Sequence, residues 1–245
     1  MIKSIKTPGF CYMGGKCRLR KWLISHFPKT GDRYIEPFAG LGNVFFQARK
    51  DMSFCEWRLN DINVGFLSSL LNENLDDIPD KMDQEGFTFW KNANNGISKI
   101  IEPGITFFGK GYKAGFNKGG PGHPPYNGVL YKIRCTEAKR LLSGAIVEQK
   151  RWDELDYDSL TQEDFVYLDP PYFGTKASYP NIDHEKLVTT LKNCKTRWAL
   201  SGYDNQLYTS SLKFTNRYVK ERNSEIKGFN SRKYEAVQEV LWTNY

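Results

Sequence analysis

The sequence F-V-Y-L-D-P-P-Y-F, at residues 165–173, constrains the fold of this 245-residue chain more than any other stretch. Four consecutive apolar residues predict a strand that is buried on both faces, which is typical of a parallel sheet covered by helices. Two prolines follow Asp169, and because proline fixes φ and lacks an N–H donor, the strand is expected to end there. The pattern predicts an α/β fold in which a rigid strand carries Asp169 to the carboxyl edge of the sheet.

The other segments fit a parallel sheet with helices on both faces. A strand at 33–38 leads into the turn A-G-L-G-N, a helix begins near Val44, and a strand follows at 57–61, which together form one crossover unit. An amphipathic helix is predicted at 18–27, and Asp183 is a suitable N-cap for a later helix. That later helix has three residues on its predicted buried face: Leu187, Val188 and Leu191. Further strands are predicted at 144–148, 197–201 and 236–242.

Residues 104–134 differ in composition from the rest of the chain. They hold eight glycines, six aromatic residues, five basic residues and no acid. A long solvated loop is one interpretation, but basic and aromatic residues interleaved in this way also suit a surface that binds phosphates and stacks on bases. We predict that 72–140 is an inserted recognition region, mostly helical and loop, and that 1–71 and 141–245 together form the α/β domain. The candidate nucleic-acid-binding residues are Lys110, Tyr112, Lys113, Lys118 and Arg134.

Charge and cysteine content narrow the class of protein. The formal net charge of +7 favours a polyanionic partner. The five cysteines are scattered without a C-x-x-C pair, which is typical of reduced cytoplasmic thiols and argues against a zinc site. No signal pattern or long apolar run is present. The sequence therefore predicts a cytoplasmic protein without a metal or a membrane segment, and it leaves the oligomeric state open.

Two glycine-containing turns are candidates for a cofactor site. Gly40 and Gly42 follow the first predicted strand, but Phe45 stands where a dinucleotide fingerprint needs a third glycine, which disfavours a nicotinamide dehydrogenase. Asp61 ends the next strand, where an acid can accept hydrogen bonds from a ribose, although a helix cap is an alternative. The stretch Y-M-G-G-K at 12–16 enters a helix and could form an anion pocket, or only a turn.

The sequence D-P-P-Y at 169–172 suits the activation of an amino group on an aromatic ring. Such a nitrogen is a poor nucleophile because its lone pair is delocalised. The Asp169 carboxylate and a rigid proline carbonyl can accept its two hydrogens, and Tyr172 can stack on the ring. An ordinary strand exit is the alternative interpretation of these residues taken alone.

Several motifs in order resemble those of the Dam-like N6-adenine DNA methyltransferases, which use S-adenosylmethionine. They are Y-M-G-G-K at 12–16, E-P-F-A-G at 36–40, N-D at 60–61, D-P-P-Y at 169–172, L-S-G-Y-D-N at 200–205 and V-L-W-T-N at 240–244. The resemblance covers most of the chain outside the inserted region, where that family places target recognition. It implies a Rossmann-like class I methyltransferase sheet.

The resemblance also implies roles for individual residues. Asp169, Pro170 and Tyr172 would act on the target adenine, with Asp169 and the Pro170 carbonyl facing its amine and Tyr172 stacking on its ring. Six residues would contact the cofactor: Tyr12, Lys16, Phe38, Gly40, Asp61 and Asp169. One departure is the segment K-R-W-D-E at 150–154, where many relatives carry an acid within a segment like R-D-A. Either Asp153 takes that role, or Trp152 stacks on the cofactor adenine.

The expected activity is therefore methyl transfer to the N6 amine of an adenine flipped out of a specific double-stranded DNA site, without a covalent enzyme intermediate. A methyltransferase acting on RNA adenine or a protein amide is an alternative, as is an inactive DNA-binding relative. The sequence leaves open the recognition site, a paired restriction endonuclease, and a viral or cellular origin.

Overall fold

The computed structural model describes residues 7–12, 14–120, 125–174, 181–228 and 231–245. Its centre is a seven-stranded sheet with the order β3-β2-β1-β4-β5-β7-β6. The strands are β1 Thr30–Glu36, β2 Ser53–Asn60, β3 Ile146–Glu148, β4 Phe165–Leu168, β5 Arg197–Tyr203, β6 Asn216–Gly228 and β7 Ser231–Thr243. Strands β1 to β5 are parallel, whereas β7 pairs antiparallel with both β5 and β6. The prediction of an α/β Rossmann-like sheet is confirmed.

Eight α-helices connect and cover the strands within the described residues. They are α1 Arg20–Ser25, α2 Asn43–Asp51, α3 Gly65–Asn72, α4 Gln84–Ala93, α5 Gly96–Ile105, α6 Gly128–Leu142, α7 His184–Asn193 and α8 Gln206–Ser211. Asp183 caps α7 as predicted, because its carboxylate accepts a hydrogen bond of 2.9 Å from the Lys186 N–H. None of the helices in this part of the chain has the length and apolar character that a membrane crossing requires.

Strand β4 is buried on both faces, as the sequence predicted. Phe165 and Tyr167 belong to one core cluster, which also contains residues of α1, α2, α3 and α6. Val166 and Leu168 belong to a second cluster with residues of α7 and α8. Because successive side chains of a strand point to opposite faces, the two clusters lie on the two sides of the sheet. The end of β4 is therefore packed against side chains on both faces of the sheet.

The region predicted as an insertion shares its core with the sheet. Phe87 of α4, Ile101 of α5 and Tyr131 of α6 belong to the same cluster as the β1 and β4 side chains. Helix α6 also packs on α2 and α3. The stretch 104–134 is not one loop, because it contains the end of α5, two 3-10 turns and the first half of α6. The division of the chain at 72–140 stays a prediction.

Strand β6 was not predicted from the sequence. Its thirteen residues pair with the whole of β7 to form a long antiparallel hairpin, and β7 extends the sheet past β5. The predicted strand at 236–242 corresponds to the second half of β7, the half that also pairs with β5. This hairpin places the last strand next to the end of β5, and therefore close to Asp169.

Candidate active site

The predicted site residues meet at the carboxyl edge of the parallel strands. Asp61 follows β2 and Asp169 follows β4, while the glycine turn follows β1. The loop before α1 joins them, because the Asn43 side-chain amide accepts from the Phe10 N–H (2.9 Å) and donates to the Phe10 carbonyl (3.0 Å). The Tyr12 ring lies beside Gly40, with its Cε1 atom 3.8 Å from where a β-carbon would stand. Met13 of the Y-M-G-G-K motif lies outside the described residues.

Lys16 is the cation at the centre of the site. Its side chain is only 6% exposed, and its Nζ lies 2.7 Å from Asp169 Oδ1 and 3.6 Å from Glu239 Oε1. The same ammonium donates to the Gly14 carbonyl at 3.0 Å and stands 4.7 Å above the centroid of the Tyr172 ring. The predicted catalytic residues Asp169 and Tyr172 are therefore joined through one buried cation.

Asp169 is held by two donors on one oxygen. Besides Lys16, the Ser201 hydroxyl donates to Oδ1 at 2.9 Å, and the Tyr167 hydroxyl lies 3.0 Å from that serine oxygen. Burial raises the pKa of Tyr167 well above its ordinary value, so this phenol stays a donor. The Asp169 side chain keeps 18% of its surface exposed, and the next residue, Pro170, is buried. The arrangement fixes one carboxylate oxygen and leaves the group accessible from the cleft.

Tyr172 is fixed at its hydroxyl and at its ring. The hydroxyl donates a hydrogen bond to the Glu239 carboxylate, and the ring meets the Tyr203 ring edge-on, with 4.6 Å between centroids. Burial, reinforced by the nearby Asp169 and Glu239 carboxylates, raises the pKa of Tyr172 well above its ordinary value. Sequence reasoning missed Glu239. The available signal was a carboxylate one residue before the apolar V-L-W run of a predicted strand.

Glu36 places a further carboxyl group behind the site. It is 2% exposed, and the Tyr34 hydroxyl donates to it. Burial raises its pKa to about 8, and the charge of Asp169 adds to this rise, whereas the Tyr34 hydrogen bond opposes it. At neutral pH Glu36 is therefore mostly protonated, and Asp169 and Glu239 are the carboxylates that face Lys16.

Asp61 holds the glycine turn. Its carboxylate accepts from the Gly40 N–H at 2.8 Å and from the Asn63 N–H at 2.9 Å. Burial raises its pKa, and these backbone hydrogen bonds act in the opposite direction. Gly40 and Gly42 have φ values of +52° and +73°, which L side chains rarely adopt. The predicted contact of Asp61 with a ribose stays a prediction, since the structure gives it a local role as well.

The Asn60 side chain links the ends of three strands by hydrogen bonds. Its amide nitrogen donates to the carbonyls of Pro37 and Lys150, each at 3.0 Å, and its oxygen accepts from the Lys150 N–H at 3.0 Å. Pro37 follows β1 and Lys150 follows β3, whereas Asn60 ends β2. This buried amide holds the carboxyl ends of β1, β2 and β3 together at the edge of the sheet, and the sequence indicated it only as part of the N-D motif.

The alternatives at 152 and 153 have different surroundings. Trp152 is buried, and its ring centroid lies 6.1 Å from that of the half-buried Phe38. The Asp153 carboxylate is paired with Arg151 at 2.9 Å and Lys186 at 2.7 Å, and these two cations hold its pKa well below the ordinary value. Because Asp153 is engaged by two cations, the packing favours the Trp152 alternative. A contact of either residue with a cofactor stays a prediction.

The candidate DNA-binding residues divide into two groups. Four cations are exposed: Lys110, Lys113, Lys118 and Arg134. Tyr112 instead packs against the core, and its hydroxyl donates to the Ser98 carbonyl at 2.8 Å. Burial raises its pKa to about 12. This placement favours a structural role for Tyr112, and its contact with DNA stays a prediction.

Three of the cations, Lys110, Lys113 and Lys118, follow closely in sequence a turn that reaches the cleft. Gly109, in the 3-10 turn Phe107–Gly109, has φ +62°, and a β-carbon there would collide with the Cys11 carbonyl oxygen. The residue before Lys110 therefore touches the loop that carries Tyr12. Among the described residues, no group of three or more His, Cys, Asp or Glu side chains is arranged to hold a metal ion.

Comparisons with known proteins agree on the family. The model of the D12 class N6 adenine-specific DNA methyltransferases matches residues 12–98 and 124–231. The modification methylase StsI of Streptococcus sanguinis is 27% identical over 285 aligned positions, which cover 99% of this chain and 43% of that protein. The type II methyltransferase M.FokI of Planomicrobium okeanokoites is 23% identical, with coverage of 98% and 43%. The chain thus spans less than half the length of these two relatives.

Among solved structures, the C-terminal domain of precorrin-6Y C5,15-methyltransferase from Rhodobacter capsulatus aligns with a TM-score of 0.43 at 10% identity, covering 93% of this chain and 88% of that one. The family model, in contrast, accounts for both the N-terminal motifs and the D-P-P-Y segment. Since it matches most of the sequence, the chain belongs to the D12 class N6 adenine-specific DNA methyltransferase family.

Proposed function

We propose that this protein transfers a methyl group from S-adenosylmethionine to the N6 amine of an adenine in double-stranded DNA. The observation that carries the proposal is the grouping of Asp169, Tyr172 and Lys16 in one cleft at the carboxyl edge of the sheet. Family membership supports DNA as the substrate. Within the chain, we assign catalysis to 1–71 and 141–245 and target recognition to 72–140.

The residues at the sheet edge fit S-adenosylmethionine. Gly40 has no side chain, which leaves room beside the Tyr12 ring, and Asp61 supplies a carboxylate at the end of β2. The nearby carboxylates Asp169 and Glu239 make the cleft favourable for a cation. The cofactor supplies a methyl group on a positively charged sulfonium. Tyr12, Lys16, Phe38, Gly40, Asp61 and Asp169 are the residues we assign to holding it.

Asp169 and Pro170 act on the amine of the target base. The Asp169 carboxylate and the Pro170 carbonyl accept its two N–H groups, which localises the nitrogen lone pair and aims it at the methyl group. Ser201 fixes one carboxylate oxygen, so the other oxygen is available to the base. Formation of the N–C bond would break the bond between the methyl group and the sulfonium, which would leave as a neutral thioether. The methylated nitrogen would then be positively charged and acidic, so it could release its extra proton to solvent without a strong general base.

Tyr172 provides the surface on which the flipped adenine stacks. Its ring face carries the Lys16 ammonium in the structure, at 4.7 Å from the centroid. Stacking of the base on that face requires the ammonium to move aside. Extracting the base from the duplex costs a few kcal/mol. The exposed cations Lys110, Lys113, Lys118 and Arg134 offset part of this cost by binding phosphates.

The test is incubation with S-adenosylmethionine carrying a labelled methyl group and either duplex DNA or RNA of the same sequence. We expect label in duplex DNA, recovered as N6-methyladenine. Asp169→Ala should lower the rate by about 10²–10³-fold or more, while DNA binding is largely retained. Asp158→Ala, at an exposed position before β4, is the control and should keep the wild-type rate. Label in RNA alone, or full activity of Asp169→Ala, would contradict the proposal.

A further inference from the structure

Glu239 is a buried carboxylate that no catalytic motif includes. It lies in β7, outside the residues that the family model matches, and its side chain is fully buried. In the sheet it pairs with Tyr203 of β5 on one side and Lys220 of β6 on the other. Removing a carboxylate from water costs several kcal/mol unless hydrogen bonds and opposite charge compensate. Its contacts therefore indicate why the strand carries an acid there.

The contacts of Glu239 are with the catalytic cleft. Its carboxylate accepts the hydrogen bond of the Tyr172 hydroxyl, and its Oε1 lies 3.6 Å from Lys16 Nζ. Tyr203, its partner in the β5–β7 register, packs on the Tyr172 ring. Two adjacent strands thus hold the same tyrosine, one at the ring and one at the hydroxyl.

We propose that Glu239 is a positioning residue of this site, which fixes the plane of the Tyr172 ring and receives the Lys16 ammonium when the target base covers that ring. The proposal rests on the proposed function. It assigns Glu239 no contact with the substrate, since its effect passes through Tyr172 and Lys16.

The effect on Tyr172 follows from the geometry of stacking. A tyrosine ring held only by packing can tilt, whereas a hydrogen bond at its far end fixes the ring at both ends. The adenine that rests on the ring inherits that orientation, and its amine must point at the methyl group. Because misplacement of reacting groups by about 1 Å can cost about 10²-fold in rate, the tether matters for turnover more than for binding.

The effect on Lys16 follows from the two distances. In the structure the ammonium contacts Asp169 at 2.7 Å and is 3.6 Å from Glu239. When the target base covers the Tyr172 ring, the ammonium loses its contact with that ring, whereas the target amine engages the Asp169 oxygen that Lys16 does not contact. A movement of about 1 Å toward Glu239 restores a charge-assisted hydrogen bond, so the lysine stays buried and paired.

Substitutions separate the two effects. Glu239→Gln keeps an oxygen that accepts from Tyr172 but removes the charge that pairs with Lys16. Tyr172→Phe keeps the ring and removes the hydroxyl. We expect Glu239→Gln to lower kcat about tenfold or more, with the KM for duplex DNA and the Kd for cofactor within about threefold of wild type. Glu221→Gln, at an exposed position of the same hairpin, is the matched control and should keep the wild-type kcat.

A double-substitution cycle tests whether Glu239 acts through Tyr172. We expect Glu239→Ala to lower kcat less in the Tyr172→Phe background than in the wild type, and the Tm losses of the two variants to be less than additive. Wild-type kcat in both Glu239 variants would overturn the proposal, as would fully additive effects on Tm. The Tm values of this cycle can be measured whether or not the protein methylates DNA. If the wild type methylates no DNA, the proposed function fails, while the cycle still decides whether Glu239 and Tyr172 are coupled.

Discussion

Replacing Glu36 by glutamine should make the protein more stable at alkaline pH. Glu36 is buried with a pKa of about 8 in the folded chain, against an ordinary value of 4.5. The folded state therefore retains a proton that the unfolded state loses between these two values. The contribution of protonated Glu36 to the free energy of unfolding is complete below about pH 4.5. It decreases as the pH rises toward 8 and is lost above that value. Glutamine is neutral throughout and can still accept the Tyr34 hydrogen bond.

The size of this effect follows from the pKa difference. Each unit is worth about 1.4 kcal/mol, so between about pH 5.5 and about pH 9 the wild type should lose about 3 kcal/mol that Glu36→Gln keeps. For a chain of this length that corresponds to about 6–12 °C in Tm. Thermal denaturation of both proteins across this pH range measures the difference directly, and other titrating groups cancel because they are common to both.

Glu163→Gln is the control, since Glu163 is exposed in the loop before β4. Its Tm should stay close to that of the wild type, because an exposed side chain contributes little to stability. A Tm difference between Glu36→Gln and the wild type that stays constant from about pH 5.5 to about pH 9 would refute the assignment of a buried, protonated Glu36.

Three further substitutions test other contacts. Lys16→Met leaves two carboxylates without their cation and should lower the free energy of unfolding by about 3–5 kcal/mol in urea denaturation; a loss below about 1 kcal/mol would contradict the buried ion pair. Asn60→Ala removes three hydrogen bonds and should lower the free energy of unfolding by about 2–4 kcal/mol and weaken cofactor binding, measured by calorimetry. An unchanged free energy of unfolding and an unchanged affinity would show that these hydrogen bonds do not stabilise the strand ends. Gly109→Ala should cost about 1–3 kcal/mol because its β-carbon meets the Cys11 carbonyl, and Gly144→Ala, also at positive φ but in open space, should cost about 1 kcal/mol; equal losses would disprove the contact.

The elements that could be predicted from the sequence are those whose pattern depends only on residues near one another in the chain. The apolar run at 165–168 and the prolines after it define β4 without reference to any other segment, and Asp183 caps its helix through its own neighbours. The carboxyl ends of parallel strands lie at the same edge of the sheet. The proximity of Asp61 and Asp169 could therefore also be predicted from the strand order.

The parts that were missed depend on partners distant in sequence. Strand β6, R-Y-V-K-E-R-N-S-E-I-K over most of its length, has no continuous apolar face, and it forms because β7 supplies its hydrogen-bonding partner. The burial of Tyr112 could not be read from its aromatic and basic neighbours, because it depends on the core and on the Ser98 carbonyl. Glu239 acquires its role only when β7 lies beside β5.

The contact between Lys16 and Glu239 also bears on how the molecule folds. These two residues stand near opposite ends of the described sequence, and only the completed β5–β7 pairing brings them together. Contacts between such distant residues form slowly, because a long segment of chain must first be ordered. A ribosome-bound chain that has not yet released β7 would lack one wall of the cleft, so the site should assemble only after the β6–β7 hairpin has been synthesised.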